Sequence, residues 1–122
     1  MSADDLERAR EFLEALAVTA KTGDRDGIYP FLASDVEWVT PQRELHSVGE
    51  VREGLTWLKP GTHLELDFEE KTIDLGDGRV VSDVHELFRM RGTGELAYAR
   101  DLRIELTIRE GKVARYEMRF AG

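Results

Sequence analysis

The spacing of apolar residues changes period once along the chain. Over residues 4–22, Leu6, Ala9, Leu13, Leu16, Ala17 and Ala20 recur every three or four positions, while Glu7, Arg8, Arg10, Glu11 and Glu14 fall off that stripe. This spacing predicts an amphipathic helix, with Gly23 as its stop. Asp24 or Asp26 can cap a short second helix to about Leu32, which Gly27 and Pro30 weaken. Alternation over residues 35–40 predicts a first strand, ended by Pro41 and followed by a polar loop, 42–46. Ser47-Val48-Gly49-Glu50 has capping-box spacing, so a third helix should run from there to about Leu58, with Pro60-Gly61 as its end. From His63 the period becomes two, which predicts strands at about 63–75, 79–91, 96–108 and 112–120. Helices first and an antiparallel meander afterwards describe an α+β domain, with three N-terminal helices packed on one face of a mostly antiparallel sheet. A length of 122 residues, with no linker or repeat, fits a single domain over 1–122.

Strand parity assigns faces. Ala114, Tyr116, Met118 and Phe120 share one face of the last strand, and Arg115, Glu117 and Arg119 the other. Tyr98, Leu102, Ile104 and Leu106 stand together, as do Val80, Ser82, Val84, Phe88 and Met90. Gly92-Thr93-Gly94 and Arg109-Glu110-Gly111 both suit three-residue turns with glycine in the left-handed region. The first turn sets Asp83 against Arg103, His85 against Asp101, and Glu86 against Arg100. The second sets Arg103 against Glu117, Asp101 against Arg119, and Glu105 against Arg115. Directly opposed unlike charges favour this register over a shift of two. Glu86 and Arg100 then both point inward as neighbours. They read either as a buried salt bridge between strands or as the polar end of a ligand pocket.

Charge and composition narrow the classes. Lys and Arg number 17 against 25 Asp and Glu, a formal net charge of −8. That argues against nucleic acid or anionic membrane as partner, since both favour a basic face. No apolar run approaches the ~20 residues of a membrane span, and no basic segment followed by an apolar stretch opens the chain, so a cytoplasmic protein is expected. With no cysteine, disulfides, thiolate metal sites and a cysteine nucleophile are excluded. His46, His63 and His85 are scattered, so no metal site is expected. Asp24 to Gly27 and Asp74 to Gly78 resemble fragments of calcium loops but lack the alternating ligands, and they read as a cap and a hairpin turn.

The run from Gly23 to Glu37, Gly-Asp-Arg-Asp-Gly-Ile-Tyr-Pro-Phe-Leu-Ala-Ser-Asp-Val-Glu, resembles a helix-turn-strand segment of the nuclear transport factor 2-like superfamily. Val51-Arg52-Glu53 and Gly111-Lys112-Val113 resemble the same superfamily, and the likeness in length and element order spans the chain. The resemblance implies a cone-shaped roll, in which a strongly curved sheet wraps the helices and encloses a pocket, often in a homodimer. Ketosteroid isomerase, limonene epoxide hydrolase, scytalone dehydratase and SnoaL-like polyketide cyclases are members. Carried over position by position, the isomerase's general base falls on Thr40, its oxyanion tyrosine on Leu16 and its protonated aspartate on Ile104, so that chemistry is not supported here. The epoxide hydrolase needs an asparagine, of which this chain has none, and Met118 stands where one of its aspartates would be.

The expectation is a cofactor-independent domain that binds a small apolar or amphipathic molecule. Glu86 and Arg100 form the polar centre, and Trp38, Thr40, His46, Trp57, Ser82, Phe88, Tyr98, Ile104, Tyr116 and Met118 line the pocket. An enzyme of the isomerase, dehydratase, cyclase or hydrolase type would use Glu86 as acid or base and Arg100 to hold it ionised or to bind an oxyanion. A protein-interaction module would instead use the polar face bearing Asp83, His85, Asp101, Arg103, Glu117 and Arg119.

Overall fold

The structure, a computed structural model, describes residues 3–22, 24–54 and 64–121. Helix α1 spans Ala3–Thr22, with Asp4 and Asp5 in its first turn, where the helix dipole favours negative charge. Ala9, Leu13 and Leu16 are buried as the periodicity predicts. So is Phe12, whose ring meets Phe31, Trp38 and Tyr116 edge-on at centroid distances of 6.0, 6.3 and 6.2 Å. Thr19 is buried on the same helix, and its hydroxyl has no hydrogen-bond partner among the described residues.

The expected second helix shrinks to a single 3-10 turn, Tyr29–Phe31. Asp24 closes a local turn, its Oδ1 accepting from the Asp26 N–H at 3.1 Å, and caps no helix. Pro30 removes a donor, and Leu32 is already extended with ψ 138°. Two α-helices therefore stand among the described residues, and not three. Strand β1 covers Leu32–Val39, starting earlier than the alternation suggests. Part of the expected polar loop is a short strand, β2 (Glu44–Leu45), returned onto β1 by a turn in which the Thr40 N–H donates to the Arg43 carbonyl at 2.9 Å. Helix α2, Val48–Gly54, starts at the Ser47 cap: Ser47 Oγ accepts from the Glu50 N–H at 3.1 Å, and the Glu50 carboxylate accepts from the His46 N–H at 3.2 Å. The remainder of the expected third helix, with Trp57, lies outside the described residues, as does His63.

Four long strands follow: β3 (Leu64–Gly76), β4 (Arg79–Met90), β5 (Leu96–Arg109) and β6 (Lys112–Phe120). The sheet is open and mixed, with order β2-β1-β6-β5-β4-β3; β1 and β6 are parallel and the other pairs antiparallel. Helix α1 packs against β3 and β5, and α2 against β1. The core lies between, with Val36, Trp38, Val80, Ile104, Leu106 and Val113 all at or below 1% exposure.

The β4–β5 register is the predicted one, with Asp83 opposite Arg103, His85 opposite Asp101 and Glu86 opposite Arg100. The route to it differs. The Met90 N–H donates to the Glu95 carbonyl across a wider loop, and a bulge between Phe88 and Arg89 restores the register. The β5–β6 register differs from the predicted one by two. Arg103 faces Arg119 and Glu105 faces Glu117. The turn is a two-residue one, Glu110 (φ 54°) and Gly111 (φ 75°), which suits the twist of a hairpin. A bulge between Thr107 and Ile108 then adds one further step. The sum of two steps keeps Ile104 beside Met118 and Leu106 beside Tyr116, so core parity survives.

The charges pair away from the β5–β6 ladder, Arg103 with Asp83 as the β4–β5 register predicts. Arg103 Nε donates to Asp83 Oδ1 at 3.0 Å, Arg79 Nη2 to Glu105 Oε1 at 3.1 Å, and Arg115 Nη1 to Glu37 Oε2 at 2.5 Å. Exposed ion pairs contribute only about 0–1 kcal/mol each, whereas burying one large apolar side chain contributes roughly 1.5–3 kcal/mol. Turn geometry and packing therefore outrank charge pairing in setting the register.

Candidate functional site

Glu86 and Arg100 meet where the core ends. On β5, burial alternates from Leu102 to Ile108 and stops there; residues 96–101 are all exposed. On β4, the parity that buries Val80, Ser82 and Val84 carries Glu86 to the same face, 2% exposed. Arg100 Nε donates to Glu86 Oε1 at 2.5 Å, while the Arg100 side chain stays 44% exposed. The carboxylate is thus inside and the guanidinium outside. Burial pushes the Glu86 carboxyl above its usual range, and the hydrogen bond and charge of Arg100 pull it back only in part. Tyr116 is fully enclosed, and its hydroxyl is pushed up first by burial and then by the Glu86 charge, so it stays protonated at neutral pH.

Aromatic rings surround the guanidinium. Its carbon lies 5.2 Å from the Phe88 ring centroid and 5.0 Å from that of Phe120, within cation–π range. Phe88 stacks on Tyr98 at 4.3 Å with a 16° interplanar angle. Tyr98 is 50% exposed and Phe120 45% exposed, and Met90 and Leu96 near the adjoining hairpin end are open too. Aromatics exposed together beside a charged group are an unusual surface.

The other predicted residues divide. Phe88 and Tyr98 join Glu86 and Arg100 at this border. Trp38 and Tyr116 are core: they stack at 3.8 Å and 15° and are nearly inaccessible. Ile104 is core as well, and Met118 is half-buried against it. Ser82 is buried, and its hydroxyl shares a 3.3 Å hydrogen bond with Thr72 Oγ1. Thr40 closes the β1–β2 turn, its hydroxyl accepting from the Arg43 N–H at 3.3 Å. His46 is exposed in the loop before α2. Phe120 was not among the expected lining residues. Its parity with Tyr116 and Met118 is visible in sequence; that the buried face ends before it is not.

Among the described residues no group of three His, Asp or Glu side chains could hold a metal ion. The opposite face of the sheet carries the His85–Asp101 hydrogen bond and the Asp83–Arg103 pair beside an open depression of about 440 Å³ that also touches Glu69 and Lys71. No described helix is long and apolar enough to cross a membrane.

No protein-family model matches the chain, and no curated protein does. Solved structures do. The chain is similar to a nuclear transport factor 2-like protein from Anabaena variabilis, with TM-score 0.81 and 15% identity over 100% of this chain and 93% of that one. It is similar to a nuclear transport factor 2-like protein of unknown function from Burkholderia pseudomallei, with TM-score 0.74 and 22% identity over 99% of this chain and 92% of that one. It is also similar to TerC, co-crystallized with polyporic acid, with TM-score 0.72 and 23% identity over 98% of this chain and 92% of that one.

Proposed function

We propose that this chain, which has the nuclear transport factor 2-like fold of those structures, is a cone-shaped small-molecule-binding domain. Its ligand would sit on the aromatic border around Glu86 and Arg100. The observation that carries this reading is the position of that pair: a carboxylate 2% exposed, tethered to a guanidinium at the edge of exposed aromatic rings. A surface with apolar walls and few oriented polar groups is the usual form of a small-molecule site. That TerC was co-crystallized with polyporic acid supports the reading. The ligand would be apolar or amphipathic, and the domain would act in the cytoplasm as a homodimer.

The test is a thermal-shift screen with small ketones, lactones, epoxides, sterols and polycyclic aromatics. A ligand that binds only the native state, at 100 times its Kd, adds about 2.7 kcal/mol. A hit whose shift is lost in Phe120→Ala supports the assigned site; hits indifferent to Phe120 and Tyr98 overturn it.

A second reading is favoured by the raised Glu86 carboxyl. Such a group holds a proton more readily than an exposed carboxylate does, which suits the acid–base role that isomerases, dehydratases and cyclases require. Arg100 would then stabilise charge that develops on the substrate. Turnover of a screen hit, abolished in Glu86→Gln with the melting temperature retained, would establish this; unchanged turnover would exclude Glu86 as the acid or base.

A further inference from the structure

Arg100 uses one of its donors inside the molecule. Its Nε is committed to Glu86, and among the described residues Nη1 and Nη2 make no hydrogen bond. A guanidinium presents its Nη edge as a planar fork that matches a carboxylate with two parallel hydrogen bonds. Here the fork is held on three sides. Glu86 fixes Nε, while Phe88 and Phe120 flank the carbon at 5.2 and 5.0 Å. A group restrained in this way loses little rotamer freedom when a ligand arrives. The aromatic surface beside it is the outer side of a stack: Phe88 and Tyr98 lie face to face at 4.3 Å and 16°, and Tyr98 is half exposed. Two features are thus adjacent, an open aromatic shelf at the end of a ring stack and an unspent cationic fork.

We infer that the site selects planar aromatic carboxylates, the ring lying on the Phe88–Tyr98–Phe120 shelf and the carboxylate taking the free Nη edge of Arg100. This rests on the small-molecule reading above and specifies its ligand class. A cation is disfavoured, because the buried Glu86 carboxylate is already covered by Arg100. The net charge of −8 gives an anion no long-range attraction. Selection must therefore come from contact at Arg100 and not from steering, since fields beyond about 8–10 Å are screened at ordinary salt.

The test uses 2-naphthoate and its neutral counterpart 2-naphthamide, titrated calorimetrically into the whole protein. The expected result is a Kd at least tenfold lower for the carboxylate. In the double variant Glu86→Gln/Arg100→Gln, which removes both charges and keeps hydrogen-bonding groups on both strands, that ratio falls to about one while the amide still binds. Arg100→Lys, which keeps the charge and loses the fork, loses most of the ratio. Phe120→Ala, at an exposed position, weakens both compounds. Equal affinity of the two compounds in the native protein overturns the inference and leaves the small-molecule reading standing. A ratio that persists in the double variant also overturns it, by placing the anion elsewhere. Binding of neither compound overturns the inference and the shelf as a binding site together.

Discussion

At the scale of single residues, Gly78 and Glu86 pose problems of two opposite kinds. Gly78 has φ +77°, and a Cβ there would lie 2.4 Å from the Ile108 carbonyl oxygen. That carbonyl is backbone in β5 and cannot swing aside, and the Ile108 N–H also donates to the Gly78 carbonyl at 2.6 Å. Gly78→Ala should therefore lose roughly 2 kcal/mol or more, read as a fall in urea midpoint with unchanged slope. Glu86 makes a demand of the opposite kind. Its carboxyl is raised in the native state, so the unfolded chain releases that proton at a lower pH than the folded one. Below the ordinary carboxyl value of about 4.3 both states are protonated and Glu86 brings no penalty. As pH rises from there through the raised folded value, the native state loses stability, and the full penalty holds above it. Glu86→Gln removes this slope. Its melting temperature relative to the native protein should be lowest near pH 4 and rise toward pH 8; a constant difference would show that the carboxyl is not raised.

At the scale of elements, α1 is held in the core by Ala9, Phe12, Leu13 and Leu16, of which Phe12 touches three other rings. Phe12→Ala should cost about 3–5 kcal/mol, against a whole-domain stability of order 5–15 kcal/mol, so the variant should be marginal at 37 °C. Ser47→Ala removes only the α2 cap and should cost about 1 kcal/mol; an effect as large as that of Phe12 would mean that α2 governs the global fold. Elements were legible in sequence where period and chemistry agreed. The α1 stripe, the Ser47–Glu50 cap and the four long strands are such cases. The second helix was not, because an acidic cap before a weakly apolar run cannot outweigh Gly27 and Pro30. The β5–β6 register was not either. Charge pairs suggested one alignment, and a two-residue turn with a bulge produced another at no cost to the core.

At the scale of the whole molecule, the α+β architecture was readable because a change of period along the chain has one economical layered solution. The site was half readable. Glu86 opposite Arg100 followed from parity and one hairpin. That Trp38 and Tyr116 are sealed in the core while Tyr98 and Phe120 are open depends on how far the helices cover the sheet, which no local pattern encodes. The charged outer face gives a test of assembly. If the proposed homodimer forms there, Arg103→Glu with Arg119→Glu should shift the sedimentation coefficient to that of a 13.9 kDa monomer; an unchanged dimer places the interface elsewhere.

The bulge at the base of the last hairpin has an evolutionary meaning. A strand that gains or loses one residue turns its faces inside out, whereas two such changes cancel. The two-residue turn and the bulge are a cancelling pair of this kind, lying within a few positions of each other. Lineages can therefore lengthen or shorten this hairpin in compensated steps, moving Phe120 relative to Arg100 while the same β6 residues still face inward. The rim of the site can drift in sequence space faster than the fold that supports it.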